Sequence, residues 1–243
     1  MKKNNKKFSL LTVLLAVLAA CLLLVGGIGV TRAVLIESDT YSGTLETPDI
    51  AIRLNENGTA VSGEDALLKG LFKEGESFTI GKIYDEVLTV TNTGSADQFA
   101  RVTLYKYWTD EEGKRVDLDP AYIRLVLGED WAVDEASSTP ERTVVYYTKV
   151  LAPGEESTPL LTKISADSEV SILVLQEKKE EGTTDDGVSW TKINTTYVYD
   201  GLNLNLEASA DAIQTHHAKD AIEASWGTTN VTADEDAGTL SVN

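Results

Sequence analysis

Leu88-Thr89-Val90-Thr91-Asn92-Thr93-Gly94-Ser95 and, a few residues on, Ala100-Arg101-Val102-Thr103-Leu104-Tyr105 decide the fold class of this chain. In each flank apolar and polar residues alternate, the two-residue period of a strand with one buried face. Val and Thr suit a pleated, half-buried surface, and Asn, Gly and Ser between the flanks favour a turn. The stretch therefore predicts a hairpin whose two strands are antiparallel neighbours.

The same signature recurs on both sides. Upstream, Ile50, Ile52 and Leu54 alternate with Ala51 and Arg53, and Asn57-Gly58 closes that run with a turn. Ala66 to Phe72 is a brief apolar patch, followed by the charged turn Lys73-Glu74-Gly75-Glu76 and then Phe78, Ile80 and Ile83. Downstream, Ile123, Leu125 and Leu127 follow Pro120, and a polar stretch from Glu129 to Arg142 precedes Val144-Val145-Tyr146-Tyr147. Pro153-Gly154 supplies the fixed and the permissive φ of a type II turn. Val170, Ile172 and Val174 alternate with Ser171 and Leu173, and Glu177 to Gly187 is charged enough that local disorder is expected. Leu202, Leu204, Leu206 and Ala208 then alternate with Asn203, Asn205 and Glu207 in the most regular run of the chain.

One helix is expected. Ala218, Ala221, Ile222, Ser225 and Trp226 share a face, with Thr215 placed to cap the start and Gly227 to end it. Short strands separated by turn residues, without strand–helix–strand alternation, predict an all-β fold. The specific expectation is a two-sheet antiparallel sandwich of jelly-roll type, with this short helix near its C-terminal end. Nothing rich enough in Pro or Gly divides it. The expected organisation is a signal segment 1–33, one sandwich domain 34–227 and an acidic tail 228–243 that frays.

The chain carries a net charge of −18, and residues 1–33 hold five basic and no acidic side chains, which leaves −23 on the remainder. Such a surface repels nucleic acid and anionic lipid headgroups, so nucleic acid is not an expected partner. Cys21 is the only cysteine, so disulfide and thiol chemistry are unavailable after residue 33. N-x-T triplets starting at Asn57, Asn194 and Asn230 read as incidental.

The start of the chain decides where the rest works. Lys2, Lys3, Lys6 and Lys7 precede an apolar run from Phe8 to Val30, and Thr31-Arg32-Ala33 offers a small-x-small cut site, the signature of an export signal. The run exceeds the usual h-region of roughly 7 to 15 residues and is long enough to span a bilayer. Two alternatives therefore stay open: a retained anchor, and lipidation of Cys21 after Leu18-Ala19-Ala20. Cleavage after Ala33 would leave Val34-Leu35-Ile36, apolar and β-branched, at a free end suited to adding as a strand to another molecule's sheet edge.

Several stretches together resemble the TasA/camelysin family of bacteria. They are the Lys-rich start with Val25-Gly26-Gly27, the box Tyr41-Ser42-Gly43-Thr44-Leu45, and the Phe72-to-Gly75 turn ahead of Leu88 to Gly94. Leu151-Ala152-Pro153-Gly154-Glu155 and Ala212-Ile213-Gln214-Thr215-His216-His217-Ala218-Lys219-Asp220-Ala221 complete the set. The resemblance implies a signal cut by a SipW-type signal peptidase and a secreted subunit of biofilm matrix fibres, joined through N-terminal strands.

Part of that family is described as metalloprotease, and the residues here do not support such chemistry. A zinc protease needs two His one helical turn apart with a Glu base, whereas His216 and His217 are adjacent and point about 100° apart on a helix. No G-x-S-x-G elbow surrounds Ser209 or Ser225. Asp110-Glu111-Glu112, Asp185-Asp186 and Asp234-Glu235-Asp236 lack the spacing of a dedicated Ca²⁺ loop. The expectation is a non-enzymatic protein without catalytic residues, metal ligands or cofactor. It would be cut after Ala33, with Thr31 and Ala33 as the small residues of the cleavage site, and donate Val34, Leu35 and Ile36 to further copies of itself in a head-to-tail filament. Its contact with a membrane would be limited to the signal segment before cleavage. The alternative is a monomeric surface or matrix adhesin held by an uncleaved or lipidated N-terminus.

Overall fold

Alternating runs put one row of side chains on each strand's inner face, and two sheets stack those rows into a shared core. The computed structural model describes Leu11, Leu14, Leu15, Val17 and residues 49–63, 66–72, 76 and 78–243. Residues 48–243 form one compact unit. Its first sheet runs β2-β1-β3-β9-β6, from β1 (Ile52–Glu56), β2 (Thr59–Ala60), β3 (Tyr84–Asn92), β6 (Ile123–Leu127) and β9 (Leu161–Ala166). The second runs β12-β4-β8-β7, from β4 (Gln98–Asp110), β7 (Trp131–Val133), β8 (Arg142–Tyr147) and β12 (Asn203–Gln214), with β5 (Gly113–Lys114) beside β4. Two further hairpins pair β10 (Val174–Thr183) with β11 (Ser189–Tyr197), and β13 (Val231–Asp234) with β14 (Thr239–Val242).

This is the expected two-sheet antiparallel sandwich. Leu88 and Val90 of β3, Ile123 of β6 and Ile164 of β9 meet Val102 and Leu104 of β4 and Val145 of β8 in one buried cluster. The strand order carries the sandwich and does not by itself establish jelly-roll connectivity, because β1 lies beside β3 and β7 beside β8, each next to a near neighbour in sequence.

The outer face of the second sheet is covered as well. Phe99, Val144, Tyr146 and Ile213 point away from the main core and pack with Ala218, Ile222, Trp226, Val231 and Leu240 in a second cluster. The tail expected to fray is therefore a packed hairpin. Lys149 bridges to Thr239, and the Val150 N–H donates to the Gly238 carbonyl at 3.1 Å. The short helix Ala218–Ala221 continues as a π-turn over Ile222–Trp226, and Gly227 ends it at φ +65° as expected. Its start is not capped by Thr215. Glu235, seventeen residues downstream, accepts the Ala218 N–H at 2.9 Å.

The opening stretch departs most from expectation. β3 and β4 follow one another in sequence but lie in different sheets, so Asn92 to Ser95 makes a crossover and not a hairpin turn. Asn92 is fully buried, donates its amide to the carbonyls of Ala96 and Leu151 at 2.8 Å each, and accepts the Gly94 N–H at 2.9 Å. Residues 49–51 run close across it. The N–H groups of Thr93 and Gly94 donate to the Ala51 carbonyl, and a Cβ at Gly94 would overlap the Asp49 carbonyl. Asn92 and Gly94 thus serve a close chain crossing, which uses the same residue types as a turn.

Two smaller stretches also differ. Ser168–Ile172 is a 3₁₀ turn and no strand, since Asp167 accepts the Glu169 N–H and starts it. Glu177 to Gly187, expected to be disordered, lies in the β10–β11 hairpin, whose side chains are almost all exposed. The Pro153-Gly154 turn forms as read, with Gly154 at φ +80° and the Glu155 N–H on the Ala152 carbonyl at 2.9 Å.

Candidate strand-accepting edge

β12 is the edge of its sheet, and β4 determines which of its backbone groups stay free. On the β8 and β5 side of β4, the Lys106 N–H donates to the Glu141 carbonyl and the Arg115 N–H to the Trp108 carbonyl, both at 2.9 Å. Backbone groups alternate sides along a strand, so the even residues of β4 face β8 and the odd ones face β12. The register pairs odd with odd, from Asn203 opposite Thr109 to Ile213 opposite Phe99. Leu204, Leu206, Ala208, Ala210 and Ala212 therefore turn their N–H and C=O groups outward, and among the described residues no strand pairs with them. That open span is about 30 Å long at the usual rise per residue.

Opposite this edge lies β1, and the gap between them is incompletely filled. A cavity of about 500 Å³ is lined by Leu54, Leu67, Leu68, Leu204, Leu206 and Ala208 among others. A second of about 220 Å³ adjoins it at Leu68 and Leu204, walled by Leu71, Phe72 and Phe78. Residues 66–72 form a cover, with Leu67, Leu68, Leu71 and Phe72 packed on the core but only partly buried. Leu68 sits at φ +69°, a left-handed conformation disfavoured for a side chain of this size. Its N–H is held by Glu56 Oε1 at 2.5 Å.

Glu56 in turn shares a hydrogen bond with Glu86, which is fully buried on the inner face of β3. Asn57 Nδ2 donates to Glu86 Oε2 at 3.3 Å, while Oε1 has no partner. Burial, then the hydrogen bond and the charge of Glu56, push the Glu86 carboxyl up to about 7 against the opposing pull of Asn57. Glu86 thus keeps its proton into the neutral range, beside the carboxyl of Glu56. Glu56 also tethers the cover.

The residues singled out in the sequence are placed unevenly. Thr31, Ala33, Val34, Leu35 and Ile36 lie outside the described residues. His216 and His217 are exposed, with ring centroids 4.1 Å apart. Among the described residues no group of three or more His, Cys, Asp or Glu side chains is arranged to hold a metal ion. The acidic turns have local duties: Asp110 accepts from Glu112 N–H and Gly113 N–H and pairs with Arg115, and Asp234 accepts the Ala237 N–H. Trp108 and Trp131 are in the main core, Trp226 is in the second cluster and Trp190 is on the β10–β11 arm. The regularity of β12 was legible in the sequence, but its edge position and the Glu56–Glu86 pair carried no local signal. No protein-family model, curated protein or solved structure matches the chain.

Proposed function

We propose that this chain is an exported structural subunit that assembles head-to-tail into extracellular fibres, as its resemblance to the TasA/camelysin family implies. The observation that carries this reading is the open edge of β12 above an apolar gap. An added strand would satisfy the outward N–H and C=O groups of Leu204 to Ala212, while alternate side chains fill the gap. Val34-Leu35-Ile36, freed by a SipW-type peptidase cutting after Ala33, has the apolar and β-branched character such a strand needs. Donor and acceptor surfaces differ, so the contact propagates as an open filament instead of closing into a dimer. In this reading residues 66–72 swing off the gap as the donor enters.

The test is sedimentation of the protein beginning at Val34 beside a variant lacking residues 34–40. The reading expects long filaments from the first and none from the second. Equal filaments from both, or none from either across a range of salt and pH, contradicts it.

A further inference from the structure

The outer face of the second sheet carries a recess of about 290 Å³ between β4, β8 and the end of the short helix. Its walls are rich in hydrogen-bond donors, which is unexpected in a chain of net charge −18. Arg101, Thr103 and Tyr105 of β4 face it with Arg142 and Tyr146 of β8 and with Trp226.

The two guanidinium groups differ. Arg101 is fully engaged: Nε and Nη2 donate to Asp211 Oδ2 at 3.3 and 3.0 Å, and Nη1 to the Trp226 carbonyl at 3.2 Å. Arg142 donates through Nε and Nη2 to the Ser137 carbonyl, at 3.1 and 2.6 Å. Among the described residues Arg142 pairs with no carboxylate, and its Nη1 has no bonded partner. Thr103 is 9% exposed and Trp226 8% exposed, and the Trp226 indole Nε1 is buried without a partner. A buried donor without an acceptor is costly, and a guanidinium that meets only a carbonyl oxygen lacks its natural counter-charge.

We propose that this recess binds a carboxylate, with Arg142 as its charge partner and the hydroxyls of Thr103 and Tyr105 as flanking donors. A carboxylate fits better than a phosphate for two reasons. Arg101 is already neutralised by Asp211, which leaves Arg142 as the one uncompensated positive charge of the lining, and the charge of the buried Asp134 close by opposes a dianion more than a monoanion. The planar fork of Arg binds such an anion bidentately, and a flat carboxylate needs less room than a tetrahedral phosphate. The volume is at the lower end of ligand pockets, suited to a single small group. That group is a free small carboxylate or an Asp or Glu side chain presented by a second copy of the chain. The site is separate from the β12 edge, so its failure leaves strand donation untouched.

The indole resonances of the ¹H–¹⁵N spectrum report on it during titration with sodium glutarate at constant ionic strength. Trp108 and Trp131 donate to the carbonyls of Asp119 and Thr158, and Trp190 lies on the arm, so Trp226, identified by W226F, is the indole expected to move. The expected result is a saturable shift of Trp226 alone. R142Q should weaken glutarate affinity at least about tenfold, as loss of a charge-assisted bidentate contact does, and T103V by a smaller factor. Unchanged resonances of the other three indoles in R142Q would show an intact fold. No saturable shift, an equal affinity in R142Q, or tighter saturation by sulfate or phosphate than by glutarate overturns the assignment. Sedimentation at saturating glutarate separates the sources: lost self-association points to a side chain of a second copy, and unchanged association to a free carboxylate.

Discussion

The two open sides of the sandwich are built differently. On one side the edges are β6 and β7, five and three residues long. On the other, β12 runs for twelve residues with its outer backbone unpaired among the described residues and no Pro or Lys along it. Short strands, Lys and Pro are the usual protections against edge-to-edge pairing. Their absence from β12 separates a side finished within the subunit from one that, in the strand-donation reading, is completed by another copy. The apolar cavities lie on that same side.

The largest test of this contrast uses two neighbouring residues. The Ser209 N–H belongs to the ladder with β4, whereas the Ala208 N–H points outward. S209P removes a ladder hydrogen bond inside the sheet and should lose on the order of 2–3 kcal/mol of unfolding free energy in urea. A208P should lose less than about 1 kcal/mol, because Pro is tolerated where the N–H faces outward, and should stop filament growth while the monomer stays folded. Equal losses from the two would refute the assignment of the open edge.

A second, smaller effect concerns the buried Glu86, which is hydrogen-bonded to the half-buried Glu56 beneath the cover. Glu86 is raised from its ordinary 4.5 to about 7, so between those values the folded state binds more protons than the unfolded one. Stability therefore falls as pH rises through that window, on the order of 2 kcal/mol between pH 5 and 8. Urea midpoints across that range should show the slope, and E86Q should flatten it. A slope unchanged in E86Q would place the titrating group elsewhere.

Two further effects compare the packed hairpin with the arm. E235A removes the acceptor of the Ala218 N–H and should cost about 1 kcal/mol in a thermal or urea melt. Deleting residues 178–194 of the exposed β10–β11 arm should change stability by less than about 0.5 kcal/mol. A larger loss would show that the arm packs against the body.

Elements with a strict two-residue period were the legible ones. β12 is legible from Leu204 to Ala208 because its inner row is uninterrupted, although Leu202 lies just before the strand. β9, central to the first sheet, carries no such period. Thr162 is an extra residue against β6, and on the other side Glu86 and Val87 of β3 stand against it alone, so Leu161 and Ile164 reach the same core three positions apart and the period is broken. The β3–β4 stretch shows a different limit. Its strands were read correctly, but a crossover and a hairpin use the same Asn and Gly, and only the distant residues 49–51 decide between them. The hairpin of the tail and the cap of the helix depend on each other across seventeen residues, beyond the reach of any local pattern. The acceptor edge was invisible for the same reason, since being an edge is a property of the whole sheet.

Amide hydrogen exchange along β12 tests the central claim most directly. In the monomer the amides of Leu206, Ala208 and Ala210 should exchange fast while those of Glu207, Ser209 and Asp211 are protected by β4. In filaments of the protein beginning at Val34, all six should be protected. Protection of the even amides already in the monomer, or unchanged fast exchange there in the filament, would contradict donation of a strand from one copy to the β12 edge of the next.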